Sequence, residues 1–224
     1  MEIFFLRHFE SEKNIKNSMS NSDTEKLTLN GRTKCLEFAR SFKEFCKNKN
    51  INISEIIAVE SCRAKESAEI IASEYGNLQV KTFTELKSTD AGNLAGKSLT
   101  DIQKKDPFFS KHYMLYRKGL MNSYFFDENW HDDKKELKKD FEKRVNNCFE
   151  KIVSNSESEN LLIVGHRSSI TAILISIARK MGLYPNDFYG SIDLSLGLIS
   201  WVTLNSDNKT WCINFVNSKL EKLK

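Results

Sequence analysis

Ile3-Phe4-Phe5-Leu6-Arg7-His8, continuing Phe9-Glu10-Ser11-Glu12-Lys13-Asn14, decides how the rest of the chain is read. Four consecutive apolar residues, rich in aromatic and branched side chains, predict a buried strand. The strand stops at a cation and an imidazole. In an open α/β sheet, ligands bind outside the carboxyl ends of the strands. Arg7 and His8 therefore form either the floor of an anion site or an ordinary turn, and this segment alone does not choose. Leu161-Leu162-Ile163-Val164-Gly165-His166-Arg167-Ser168-Ser169 repeats the design, with an apolar strand, a His at its end and small polar residues opening a helix. Gly165 allows close backbone approach. Ser168 or Ser169 is placed to cap the helix, whose positive end favours an anion. Ile56-Ile57-Ala58-Val59 is a third apolar run, and helical spacing begins after Ser61-Cys62-Arg63. Two arginines and two histidines thus stand at the ends of three strands.

These stretches resemble the histidine phosphatases, also called the phosphoglycerate mutase-like superfamily. The family signature is an apolar strand followed by Arg-His-Gly, often continuing Glu-Ser/Thr-x-x-Asn. It is matched by Arg7-His8-Phe9-Glu10-Ser11-Glu12-Lys13-Asn14. Leu-Thr-x-x-Gly is matched by Leu27-Thr28-Leu29-Asn30-Gly31, and Arg-Ala-x-x-Ser/Thr-Ala by Arg63-Ala64-Lys65-Glu66-Ser67-Ala68. Gly92-Asn93-Leu94-Ala95-Gly96 and the strand ending in His166 complete the series in the expected order. The departures are specific. Phe9 replaces a small residue, so crowding of His8 is expected. Arg167 replaces a Gly, and the serine pair before the phosphate-binding Arg is reduced to Ser61-Cys62. The family's proton donor lies in Leu-x-Glu-x-x-x-Gly. Alignment through Leu86 and Gly92 puts Ser88 at that Glu, leaving Glu85 as the expected donor and Asp90 as runner-up.

Length and composition agree with an enzyme-sized globular protein. A chain of 224 residues supports a substantial core. The net charge of +4 is scattered rather than gathered in a stripe, which argues against a nucleic-acid partner. No Gly- or Pro-rich linker divides the chain, so residues 1–224 are read as one domain. The amino terminus lacks the pattern of a secretion signal, and Ile170–Ala178 is too short to span a bilayer. Five widely spaced cysteines without a CxxC pair predict reduced thiols and a cytoplasmic protein. Cys62 adjoins Arg63, which favours a thiolate, but an incidental thiol is the simpler reading.

The pattern alternates strand and helix. Residues 11–27 read as a polar loop, and Cys35, Leu36, Ala39, Phe42 and Phe45 mark an amphipathic helix over 31–48. A strand over 55–59, a helix over 64–75 ending at Gly76 and a strand over 78–83 follow. Residues 97–146 are aromatic-rich without strand alternation, which predicts a helical insertion. The resemblance places such an insertion over the active site, where Arg117 and Lys118 would meet a distal anion of the substrate. His112 and His131 lack ligand partners at metal spacing and read as surface residues. A helix over 135–153, the His166 strand, a helix to about 181 and a hairpin of residues 196–204 and 210–216 close the chain. The expected fold is therefore α/β, a three-layer sandwich: a mostly parallel sheet, helices on both faces and a helical cap insertion.

A phosphate monoester needs concentrated positive charge and many donors. Arg7 and Arg63 offer planar forks that match phosphate oxygens. His166, if protonated, adds a charge. His8, to attack phosphorus, must be neutral, with its other nitrogen donating to a backbone carbonyl. Ser11 and Asn14 are candidates for binding substrate near the phosphate, or simply belong to a solvated loop. No cofactor or metal is called for. The expectation is a phosphatase that forms a phosphohistidine on His8 and acts on a phosphorylated small molecule or phosphoprotein, with no membrane partner. The alternatives are an impaired phosphate-binding domain of the same fold, or a phosphoglycerate-type mutase, whose motif after the third strand is not matched. Phosphate release from an aryl phosphate separates the first two, and phosphate exchange between phosphoglycerates reveals the third.

Overall fold

Runs of about four apolar residues are too short for stable helices and become strands here, while the longer amphipathic stretches become the layers that cover them. The structure, a computed structural model, describes residues 1–16, 18–19, 23–117, 128, 134–156, 160–183, 192, 194–205, 207 and 209–222. In order they form β1 (Glu2–Arg7), α1 (Glu12–Lys16), α2 (Leu29–Asn48), β2 (Glu55–Val59), α3 (Cys62–Glu74) and β3 (Val80–Phe83). Then come α4 (Leu99–Lys105), α5 (Pro107–Arg117), α6 (Lys138–Asn155), β4 (Asn160–Gly165), α7 (Arg167–Lys180), β5 (Ile199–Asn205) and β6 (Thr210–Ser218).

The sheet order is β3-β2-β4-β1-β5-β6. β1 to β4 run parallel, and the β5–β6 hairpin adds two antiparallel strands at one edge. The chain steps outward from β1 to β3, then returns to slot β4 between β1 and β2. Every residue of β4 is buried. A strand covered on both faces needs two helical layers. Phe4 and Phe5 show them directly, since successive side chains of a strand point to opposite faces. Phe4 meets Phe42 of α2 with ring centroids 5.1 Å apart, and Phe5 meets Phe149 of α6 at 5.7 Å. The fold is the expected α/β three-layer sandwich.

Several local expectations are corrected. α3 starts at Cys62, so Arg63 lies in its first turn rather than before it. The N-cap of α7 is His166 itself, not Ser168 or Ser169, and Ser169 Oγ donates to the His166 carbonyl at 3.2 Å. The segment read as a loop over 11–27 contains the short helix α1. α6 begins at Lys138, and its Phe141 and Val145 belong to the main core, so the end of the 97–146 segment packs with the body. A separate small cluster of Met19, Ala91, Ile102 and Phe109 holds α4 and α5. Tyr124, Phe125, Phe126, Trp130, Lys118 and His131 lie outside the described residues.

Thr28 caps α2, its Oγ1 accepting from Gly31 N at 2.9 Å, while Thr28 N donates to the Glu10 carbonyl at 3.0 Å. A side chain at Gly31 would collide with that carbonyl. The Leu-Thr-x-x-Gly motif therefore clamps α2 against the loop that leaves His8.

Candidate active site

Strand register brings the histidines together. Arg7 pairs with Gly165 across the parallel β1–β4 ladder, so His8 and His166 leave adjacent strands at the same level. Their ring centroids are 5.2 Å apart and their planes nearly perpendicular at 81°. His8 Nδ1 lies 2.7 Å from the Phe9 carbonyl. A carbonyl can only accept, so Nδ1 carries the proton and Nε2 keeps its lone pair. Arg63 is only 1% exposed, and its Nη2 lies 3.3 Å from His166 Nε2. A guanidinium only donates, so His166 Nε2 accepts. Arg7 Nη1 donates to the Leu194 carbonyl at 2.6 Å, which ties the first arginine to the segment before β5.

Two guanidinium groups beside buried imidazoles set the charge state. Burial above all, then Arg63 and Arg7, hold His8 well below the ordinary imidazole range, although its bond to the Phe9 carbonyl pulls the other way. Burial, followed by Arg63, His8, Lys13 and Arg7, does the same to His166. Both rings are neutral near pH 7 while no anion is bound. Burial also lowers Arg63, and Glu25 ahead of Asp23 opposes that.

The chain matches the sequence profile of the histidine phosphatase superfamily (branch 1) over residues 3–219. It belongs to the histidine phosphatase superfamily. No curated protein sequence matches it significantly. Among solved structures it is similar to Bacillus stearothermophilus YhfR, with 19% identity, a TM-score of 0.77, and 97% of each chain covered. The mycobacterial glucosyl-3-phosphoglycerate phosphatase in complex with VO3 is 16% identical with a TM-score of 0.77, covering 97% of this chain and 99% of that one. The α-ribazole phosphatase of Shigella flexneri is 19% identical with a TM-score of 0.74, covering 97% and 96%. At these identities the likeness speaks for the fold.

Within this histidine phosphatase fold the sequence candidates divide. Arg7, His8, Arg63 and His166 share one end of the sheet, around the β1–β4–β2 junction. Ser11 is fully buried, and its Oγ donates to Asn14 Oδ1 at 2.7 Å, as does its backbone N–H at 3.0 Å. The pair therefore closes the first turn of α1 on itself. Glu85 is exposed on the 3-10 turn Thr84–Leu86. With Asp23, Ser88, Asp90, Lys87 and Arg144 it lines a cavity of about 620 Å³. The side chain of Arg117 lies outside the described residues. Phe9 does not crowd His8: it is 5% exposed and packs on Phe38, centroids 5.6 Å apart, in the main core. Gly197 makes room for it, since a Cβ there would run into the Phe9 ring.

Sequence reading missed three residues. Lys13 is close enough to act on both imidazoles. Ser67 Oγ donates to the Arg63 carbonyl at 2.8 Å and accepts from Phe9 N at 3.3 Å, joining the two halves of the site. Its place in the Arg-Ala-x-x-Ser-Ala motif was the available signal. Glu25 Oε2 lies 3.5 Å from Arg63 Nη1, and nothing in the sequence marks it. Among the described residues no group of three or more His, Cys, Asp or Glu side chains is arranged to hold a metal ion. Among them, too, no helix is long and apolar enough to cross a membrane.

Proposed function

We propose that this chain is a metal-independent phosphatase that hydrolyses phosphate monoesters through a phosphohistidine on His8. The observation that supports this most is the 2.7 Å bond from His8 Nδ1 to the Phe9 carbonyl, which leaves Nε2 as a lone-pair nucleophile beside two arginines. Arg7 and Arg63 receive the phosphoryl oxygens, and positioning and charge neutralisation supply most of the rate in such transfers. His166 is neutral at rest. A bound dianion beside it favours its protonated form, which then adds a third positive charge. His8 Nε2 attacks phosphorus, the ester oxygen leaves, and water hydrolyses the phosphohistidine.

The substrate is a phosphorylated small molecule or a phosphoprotein. Similar solved structures include phosphatases of α-ribazole and of glucosyl-3-phosphoglycerate, which favours the small molecule. We read residues 1–224 as one domain, with the segment from residue 97 into α5 as its cap. The five free cysteines fit a reducing cytoplasm.

The test is phosphate release from p-nitrophenyl phosphate, with phosphohistidine trapped under alkaline conditions. Wild type should turn over and label, and His8→Ala should do neither. Undiminished turnover by His8→Ala removes the mechanism.

A further inference from the structure

We propose that Glu25 is the proton donor to the leaving oxygen, an assignment that rests on the phosphatase reading above. The leaving alkoxide of an ordinary phosphate ester needs a proton, and the position where this family keeps its donor holds Ser88, which has no acidic proton to give near neutral pH. Four carboxylates, beside Arg63 or on the cavity that Glu85 lines, can be compared.

Three of them are engaged elsewhere. Glu85 is exposed and accepts from the Thr84 hydroxyl at 3.2 Å. Burial, and after it the Glu85 carboxylate, push the Cys148 thiol of α6 up to about 11. Asp90 turns its carboxylate onto Gly92 N at 2.8 Å and caps its own turn. Asp23 pairs with Lys87 Nζ at 2.9 Å.

Glu25 is placed differently. Its side chain is 13% exposed, and Oε2 lies 3.5 Å from Arg63 Nη1. That oxygen is buried and accepts no hydrogen bond from the described residues. The other terminal nitrogen of the same guanidinium, Nη2, faces His166. Any phosphoryl group held by Arg63 therefore has His166 on one side and the Glu25 carboxyl on the other. The segment carrying Glu25 is tied down at both ends. Cys62 N donates to the Asp23 carbonyl at 2.7 Å, Glu12 N to the Lys26 carbonyl at 3.1 Å, and Leu27 N to Glu66 Oε2 at 2.8 Å. A short span fixed to α1 and α3 holds its side chain in place.

The chemistry balances. Without substrate, the Glu25 anion offsets the buried Arg63 cation. Donation requires that Glu25 carry its proton when the phosphate ester sits on the same guanidinium. The His8 Nε2 lone pair forms the nitrogen–phosphorus bond. The phosphorus–oxygen ester bond breaks, its electron pair goes to the leaving oxygen, and Glu25 protonates that oxygen to release the alcohol. In the second half Glu25 accepts a proton from the attacking water. The nitrogen–phosphorus bond breaks with its pair returning to Nε2, and phosphate departs.

The experiment compares p-nitrophenyl phosphate, whose leaving group scarcely needs a proton, with phenyl phosphate, whose phenol has a pKa of about 10. Glu25→Gln should lower kcat on phenyl phosphate by about 10²–10⁴-fold and on p-nitrophenyl phosphate by less than about tenfold. Glu85→Gln and Asp90→Asn should move both substrates by the same factor. A uniform loss in Glu25→Gln, no loss at all, or a substrate-selective loss in Glu85→Gln or Asp90→Asn overturns the assignment. If Glu25→Gln fails to fold, judged by its melt and by inorganic phosphate binding, Glu25→Asp serves: selective slowing of phenyl phosphate supports the role and uniform slowing rejects it. Failure of the phosphatase reading shows separately, as a wild-type chain that releases no phosphate or a His8→Ala variant that keeps its rate.

Discussion

Arg63 is the residue on which the site depends most. It is the largest fully buried side chain among the described residues, and a buried cation is tolerated only where partners offset its lost hydration. Here Glu25 supplies the countercharge and His166 Nε2 an acceptor. Removing one member of a buried pair costs more than removing both, because the survivor keeps its desolvation penalty. Arg63→Ala should therefore lower stability by about 3–5 kcal/mol as well as abolish phosphate binding. Adding Glu25→Gln to Arg63→Ala should restore part of that stability. Urea melts of the two single variants and the double variant give the coupling, and strictly additive losses would show that the two side chains do not support one another.

The loop leaving β1 shows how elements are fitted to one another. Phe9 directly follows His8, and the fold accommodates it by turning the ring into the core against Phe38 of α2. The space comes from Gly197, just before β5, whose φ of +69° also favours glycine. Gly197→Ala should destabilise by about 2–5 kcal/mol, the sum of an overpacking penalty and left-handed strain. Phe9→Ala in the Gly197→Ala background should recover the overpacking part, so thermal melts should show a double variant more stable than Gly197→Ala alone. Equal stabilities would mean that the backbone, not the ring, sets the cost. Gly31 plays a comparable part at the start of α2, where the Glu10 carbonyl occupies the space a side chain would need.

Across the whole molecule the two buried imidazoles link folding to pH. Both are held below the ordinary range, by burial first and by Arg63 next. The unfolded chain then binds protons that the folded chain refuses once the pH drops below about 6.5, the value of a free imidazole. Stability is therefore fully present above that value and is lost as the pH falls toward the lower folded values. Each imidazole contributes a slope of up to about 1.4 kcal/mol per pH unit. Denaturant titrations between pH 7.5 and 5 should show this fall, and His166→Asn should make it shallower. A pH-independent midpoint in the wild type would mean that both rings protonate freely in the folded state. Phosphate should counter the acid loss, since an anion beside the imidazoles favours their charged form.

The amino-acid order alone determined the architecture and the central cluster. Ile3–Leu6 and Leu161–Val164 have no polar face, so each must be a doubly covered strand, and that requires helices on both sides. Arg7, His8 and His166 sit at strand ends and Arg63 in the first turn of the helix that follows β2, where local sequence and layer architecture together dictate position. What only the tertiary structure decided depends on which loops meet. Phe9 reads as an obstruction until Gly197, far along the chain, is seen to receive its ring. Ser11 and Asn14 read equally as contacts for a substrate near the phosphate or as a solvated loop, and only the structure shows their side chains bonded to each other. Glu25 is one acid among the 30 Asp and Glu residues of the chain, and no local pattern sets it apart. Its contact with Arg63 arises because Asp23 and Leu27 are each tied to α3, through Cys62 and Glu66. Strand-end positions follow from short-range periodicity, whereas a carboxylate on a loop is placed by long-range contacts that leave no periodic trace.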